Sequence, residues 1–335
     1  MNSVGIDISK GRSTIAVMRP FGEIVISPFE VRHTDSELSE LARRLKSLNG
    51  ETRVVMEATG NYHAPVAKLL HDAGLYVSVV NAKLVHGYGN NDLRRVKTDR
   101  KDAVKLANYG LDRWLTLPRY VPEENTRLLL KNCYRQYRQY SKVQTVLKNN
   151  LISLLDMTFP NANRLFVSPA RADGSEKWVD FVAEFWHCEC VSERSLKSFV
   201  NKYWRWCRKH GYNFSEEKAH AIYDEASGHI GVMPKSETTK LLVEQAVSQL
   251  SATSAALAAL KQEMQSLSSQ LPEYPVVMGM FGVGPILGPQ LIAEIGDVRR
   301  FYSKKALVAY AGIDAPPNDS GDVIGRHKSM SKVGA

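Results

Sequence analysis

The sequence predicts a mixed α/β domain, then two long helices around a helical insert, then a small, mostly helical C-terminal module. Three observations predict this. Runs rich in β-branched residues alternate with amphipathic stretches only within residues 1–115. Residues 123–156 and 237–271 carry apolar side chains at three- and four-residue spacing with no Gly or Pro. Beyond Pro272 glycine and proline become frequent, which favours short helices and turns.

The elements follow in order. VGIDIS (4–9) and STIAVM (13–18) flank Lys10, Gly11 and Arg12 and read as a hairpin, with GEIVIS (22–27) as a third strand. Leu38, Leu41, Leu45 and Leu48 give residues 36–48 helical spacing. RVVMEA (53–58) reads as a buried strand, 62–73 as a helix, LYVSVVN (75–81) as a strand and 97–111 as a helix. Three consecutive strands followed by strand–helix alternation make a mixed sheet with helical cover, the plan of a ribonuclease-H-like fold. In 123–156 the apolar row is Leu130, Tyr134, Tyr137, Tyr140, Val143, Leu147, Leu151 and Leu154. In 237–271 a near-heptad row runs from Val243 to Leu271. A 35-residue helix spans about 50 Å and needs a partner helix, in the same chain or in another subunit. Residues 160–235 hold four of the five Trp and read as a small helical insert. The expected domains are therefore 1–115, 123–271 with the insert at 160–235, and 273–335.

Composition narrows the function. The 335 residues are 44% hydrophobic and 24% charged, enough for sizeable cores and too apolar for wholesale disorder. Forty-four Lys and Arg against 35 Asp and Glu leave a net charge of +9, which favours polyanionic partners, nucleic acid foremost. The chain opens without a secretory signal, and its cysteines Cys133, Cys188, Cys190 and Cys207 are expected to be reduced, so a cytoplasmic location is expected. The uncharged run 275–293 is broken by Pro275, Pro285, Pro289 and four glycines, so no membrane association is expected.

Four carboxylates stand where carboxylates need a reason. Asp7 lies between Ile6 and Ile8 in a strand, Glu57 ends the run RVVME, and Asp99 and Asp102 share a helical face in KTDRKDAVKLA. Drawn to one sheet edge, they would repel one another unless a hard divalent cation held them. Two Mg²⁺ ions in such a group could activate a nucleophile and stabilise the leaving oxygen of a phosphodiester. Further along, the face of 123–156 carries Arg127, Lys131, Arg135, Arg138, Lys142 and Lys148 and no acid between Thr126 and Ser153, a pattern suited to phosphate contact. Arg94, Arg95 and Lys97 form a second basic run. Gly282 and Gly284 in GVGP precede an apolar helix and could offer backbone N–H groups to phosphate; the stretch resembles a helix-hairpin-helix element. His187, Cys188, Cys190, Cys207 and His210 lack standard zinc spacing and are expected to be packing residues.

Taken together, GIDISK, EATGNYH (57–63) and KTDRKDAVKLA resemble the DEDD-type insertion-sequence transposases related to the Piv DNA invertases, bridge-RNA-guided serine recombinases with a RuvC-like N-terminal domain. The resemblance returns in GVGPILGPQLIAEIGDVRRF, ALVAYAGIDAPPNDSG and GRHKSMSKVG. It implies a RuvC-like fold and a metal-binding tetrad of Asp7, Glu57, Asp99 and Asp102 with Mg²⁺. It also implies that Ser320, in the loop PPNDSG, is a nucleophile forming a covalent phosphoserine link to DNA, with Ser329 and Ser331 as nearby competitors and Arg326 and Lys328 beside it on phosphate. Partners implied are donor and target DNA, a structured bridge RNA, and further copies of the chain, from dimer to synaptic tetramer. The family continues past GRHKSMSKVG, so an incomplete C-terminal segment is expected after Ala335. A RuvC-like metal nuclease using water, a DNA invertase and a non-catalytic nucleic-acid binder are the alternatives. Actin-like ATPases share a GIDI-like first strand but need a second Gly-rich phosphate loop, which this sequence lacks.

Overall fold

The structure is a computed structural model and describes residues 1–88 and 98–314. It divides into two units, Met1–Glu123 and Glu124–Ala335.

The first unit is built on a five-stranded sheet. Its strands are β1 (Asn2–Ser9), β2 (Arg12–Arg19), β3 (Glu23–Arg32), β4 (Thr52–Glu57) and β5 (Tyr76–Val80), and its helices are α1 (Asp35–Lys46), α2 (His63–Asp72), α3 (Ala82–Gly87) and α4 (Asp99–Asp112). The sheet order is β3-β2-β1-β4-β5. The β1–β2 and β2–β3 pairs are antiparallel, and β1–β4 and β4–β5 are parallel. That order and polarity are those of a ribonuclease-H-like fold. Strand alternation sends Val4, Ile6, Val54 and Met56 to one face, where they pack with Leu38, Leu41 and Leu45 of α1 and Val66 and Leu70 of α2. The opposite face receives α4, whose Leu106 and Tyr109 pack with Val55 and Val80. Close approach there depends on Gly5: a Cβ at that position would overlap the backbone of Ala103 and Ala107. A Cβ on Gly110, at the far end of α4, would crowd Ser3 and Val55.

The second unit pairs α5 (Asn125–Thr158) with α10 (Glu237–Ser269). Leu130 shares a core with Met264, Leu267 and Leu271, whereas Leu151 and Leu155 share one with Val243 and Leu250. Gln144 Nε2 donates to Ser254 Oγ between these two cores. The helices are thus antiparallel partners within one chain, the first of the two pairings that the sequence allows. Between them lies the insert, with α6 (Lys177–Glu184), α7 (Glu189–Ser192), α8 (Leu196–His210) and α9 (Glu216–Gly228). Its core is aromatic: Phe159, Phe181, Phe185, Phe199, Tyr203 and Trp206 are fully buried. The remaining elements are α11 (Tyr274–Met278), α12 (Leu287–Ile295) and α13 (Lys304–Tyr310). The uncharged run 275–293 becomes the short helices α11 and α12 around a turn. Among the described residues no helix is long and apolar enough to cross a membrane.

Candidate active site and nucleic-acid interface

Register places the four carboxylates. Gly5 pairs with Val55 and Ile6 with Met56, so Asp7 and Glu57 are the next residues on adjacent parallel strands. Asp7 shares a face with Gly5, and Glu57 shares one with Val55. This is the face that α4 covers. Because Ala103 lies over Gly5 and Gly110 lies by Ser3, α4 runs antiparallel to β1. Its first turn, with Asp99 and Asp102, is therefore directed towards the end of β1 that holds Asp7. Thr98 caps that turn: its hydroxyl accepts from the Lys101 N–H at 3.3 Å. Two acids in the first turn also suit the helix dipole. Asp99 is exposed, and the other three are half-buried.

The fold thus brings all four to one face and one end of the sheet. It does not close them into a cage: among the described residues no group of three or more His, Cys, Asp and Glu side chains is gathered to hold a metal ion.

Elsewhere the placement of expected residues is mixed. Arg135, Arg138 and Lys142 are exposed on α5, with the Arg138 guanidinium 5.8 Å from the Tyr134 ring. Lys131 is half-buried. Tyr134 and Tyr137 pack in the helix seam.

Arg127 departs from expectation. Its side chain is only 5% exposed and is committed to Glu273, which is 17% exposed. Nη2 donates to Glu273 Oε2 at 3.0 Å and Nη1 to Oε1, and Nε lies 3.3 Å from Glu124 Oε2. The hydrogen bonds from Arg127 hold the Glu273 carboxyl below the usual carboxylate range. Arg127 is therefore an internal ion-pair partner, not a phosphate contact. The sequence reading missed it because Glu273 lies 146 residues away. Lys148 is likewise paired, to Glu176 at 2.6 Å.

Gly282 has φ +79° in the turn between α11 and α12, and neither Gly282 nor Gly284 has a neighbour where a Cβ would stand. His187, Cys188 and Cys207 are buried in the insert. His187 Nε2 lies 3.0 Å from the Met233 carbonyl, and His187 Nδ1 accepts from the Glu189 N–H. Burial pushes the Cys188 and Cys207 thiols up. Arg94, Arg95, Lys97, Ser320, Arg326 and Lys328 lie outside the described residues.

Comparison with known proteins adds the following. A transposase family model matches residues 4–160, and a model described as the transposase IS116/IS110/IS902 family matches residues 274–335. An uncharacterized 44.8 kDa protein of insertion element IS116 from Streptomyces clavuligerus is 24% identical over 97% of this chain and 78% of its own length. The pilin gene-inverting protein of Moraxella bovis is 27% identical over 40% of this chain and 38% of its own. A Thermus thermophilus RuvC in complex with a Holliday junction substrate aligns with 36% of this chain and 99% of its own, at 13% identity and a TM-score of 0.27.

Proposed function

The chain belongs to the IS116/IS110/IS902 transposase family, and from that premise we propose that it is an RNA-guided DNA recombinase acting through a phosphoserine intermediate. The observation that carries the catalytic half is the register of β1, β4 and α4, which sets Asp7, Glu57, Asp99 and Asp102 on one face at one end of the sheet. Four hard carboxylate oxygen donors suit a divalent cation of the Mg²⁺ kind. Such an ion, when bound, would offset charge on a phosphodiester and stabilise its leaving oxygen.

The chain's own residues then divide the work. Asp7 and Glu57 are fixed by the sheet, and Asp99 and Asp102 by a capped helix turn, so the donors are positioned by rigid elements. Ser320 Oγ bonds to a DNA phosphorus as the bond from that phosphorus to a sugar oxygen breaks, and the serine proton ends on the released sugar hydroxyl. The phosphoserine conserves the phosphodiester bond. Attack by the sugar hydroxyl of another strand restores Ser320 and joins donor to target. Arg135, Arg138 and Lys142 on α5 contact phosphate backbone, as do Lys131, Arg94, Arg95, Lys97, Arg326 and Lys328. The N–H groups around Gly282 and Gly284 do the same. A structured bridge RNA selects the DNA partners, and a dimer or tetramer brings them together.

The test is a covalent-adduct assay with labelled DNA, Mg²⁺ and co-purified RNA on denaturing gels. The intact chain is expected to yield a protein–DNA adduct that Ser320→Ala abolishes and Asp102→Ala reduces at least about tenfold. Metal-dependent cleavage that persists without adduct in Ser320→Ala would establish the nuclease reading instead. A second reading, inversion of a DNA segment, is favoured by the pilin gene-inverting relatives. Recovery of inverted rather than inserted products would select it.

A further inference from the structure

One strongly charged face lies outside every residue assigned so far, in the insert between the two stretches that mark the family. Residues 194–210 contain six Lys and Arg and no Asp or Glu. Helix α8 turns Phe199, Tyr203, Trp206 and Cys207 into the core. Its opposite side therefore carries Lys197, Asn201, Arg205, Arg208 and Lys209, all exposed. A groove of about 720 Å³ runs along this side, and its lining includes Arg194, Lys197, Lys202, Arg205 and Lys209. The sole acid in that lining, Glu184, is taken by Lys202 at 3.4 Å. Lys197, Arg205 and Lys209 make no ion pair among the described residues.

A solvated helix face ordinarily mixes its signs. Here the acids of the insert lie on other elements, among them Glu216 and Glu217 in the first turn of α9. Crowding like charges on one side of one helix costs self-repulsion, which a polyanion would relieve. Lys197, Asn201, Arg205 and Lys209 follow one another at four-residue intervals, so the row rises about 6 Å per rung and spans about 18 Å, near five phosphates of one strand of a duplex. The face offers one aromatic ring and no row of them. Trp206 is buried, and Trp204 is exposed with the Arg208 guanidinium 4.9 Å from its ring, so a run of bases has no succession of rings to stack on. Backbone contact without base stacking suits a paired helix better than a single strand.

We propose that the exposed face of α8 docks the phosphodiester backbone of a base-paired nucleic acid. The inference rests on the transposase reading only for the kind of polyanion. The test uses the full chain and the variant K197Q/R205Q/R208Q/K209Q, in which every altered side chain is exposed. Binding to a labelled DNA duplex and to a labelled RNA hairpin, with a labelled unpaired single strand as control, is followed by fluorescence anisotropy across a salt series. On at least one probe the variant is expected to bind about tenfold or more weakly at 0.1 M salt, with the slope of log K against log salt shallower by about 3 to 4. The probe that shows the loss identifies the polymer. The charge-retaining variant K197R/K209R is expected to bind as the parent does. An unchanged slope on both probes, or a loss confined to a single-stranded probe, overturns the proposal while leaving the adduct assay untouched. A parent chain that binds neither probe overturns the transposase reading along with it.

Discussion

Arg127→Ala offers a sharp test of how the second unit is held together. The substitution removes the partner of a carboxylate that is 17% exposed and receives two guanidinium hydrogen bonds. Breaking a buried pair from one side costs about 3–5 kcal/mol, because the remaining charge is left without compensation. Glu273 keeps some access to water, so the lower end applies, about 3 kcal/mol. For a unit of this size that is a fall in melting temperature of about 6–12 °C. Tryptophan fluorescence during urea denaturation reads this unit, since four of the five Trp lie in it. The dependence on pH has a definite sign. Glu273 is held below its ordinary value of 4.5, so the contribution is present above that value and is lost as the pH falls through the lower folded value. Glu273→Gln should flatten that limb of the stability curve. Replacing both partners, as R127M/E273L, should recover most of the loss, since a well-packed apolar pair can substitute for a buried ion pair. The reasoning is refuted if Arg127→Ala changes stability by less than about 0.5 kcal/mol and weakens nucleic-acid binding instead.

Other outcomes follow from the packing. Gly5→Ala should destabilise the first unit by about 3 kcal/mol, because the new methyl meets helix backbone at Ala103 and Ala107; an unfolding curve that does not move would contradict the close approach of α4. Leu151→Ala and Leu250→Ala should each cost about 2–5 kcal/mol, as both side chains are buried in the core shared by α5, α10 and the insert, and chemical denaturation measures this. Cys188 and Cys207 are buried with raised thiol pKa values, so a thiol reagent at pH 8 should label them only after unfolding; rapid labelling of the native chain would contradict their burial.

Periodicity explains why most elements were legible. The strands around Ile6, Ala16 and Val55 and the helices around Leu41 and Leu250 combine strong patterns with clear breakers, and their observed limits fall close to those expected. Asp7 and Glu57 stood out because a charged residue inside an apolar strand has few reasons to be there. The insert was harder to read. Its core is made of Phe, Trp and Tyr from helices as short as the four residues of α7, too few turns for a period to emerge. Arg127 was misread for a different cause: its spacing matches the exposed row on α5, and only the tertiary position of Glu273 converts it into an internal cation. The row on α8 was visible in WRWCRKH, but the interleaved Cys and His directed attention to zinc ligands.

The pairing of α5 with α10 also sets a length. Leu130, in the core shared with α12, and Leu151, in the core shared with the insert, are separated along α5 by about 32 Å of helical rise. The helix pair therefore acts as a ruler between those two cores. Adding one heptad to both helices would preserve their seam and lengthen the ruler by about 10 Å, close to three base steps of duplex. The separation of the two cores is in this sense written in the count of the helix pair's heptads.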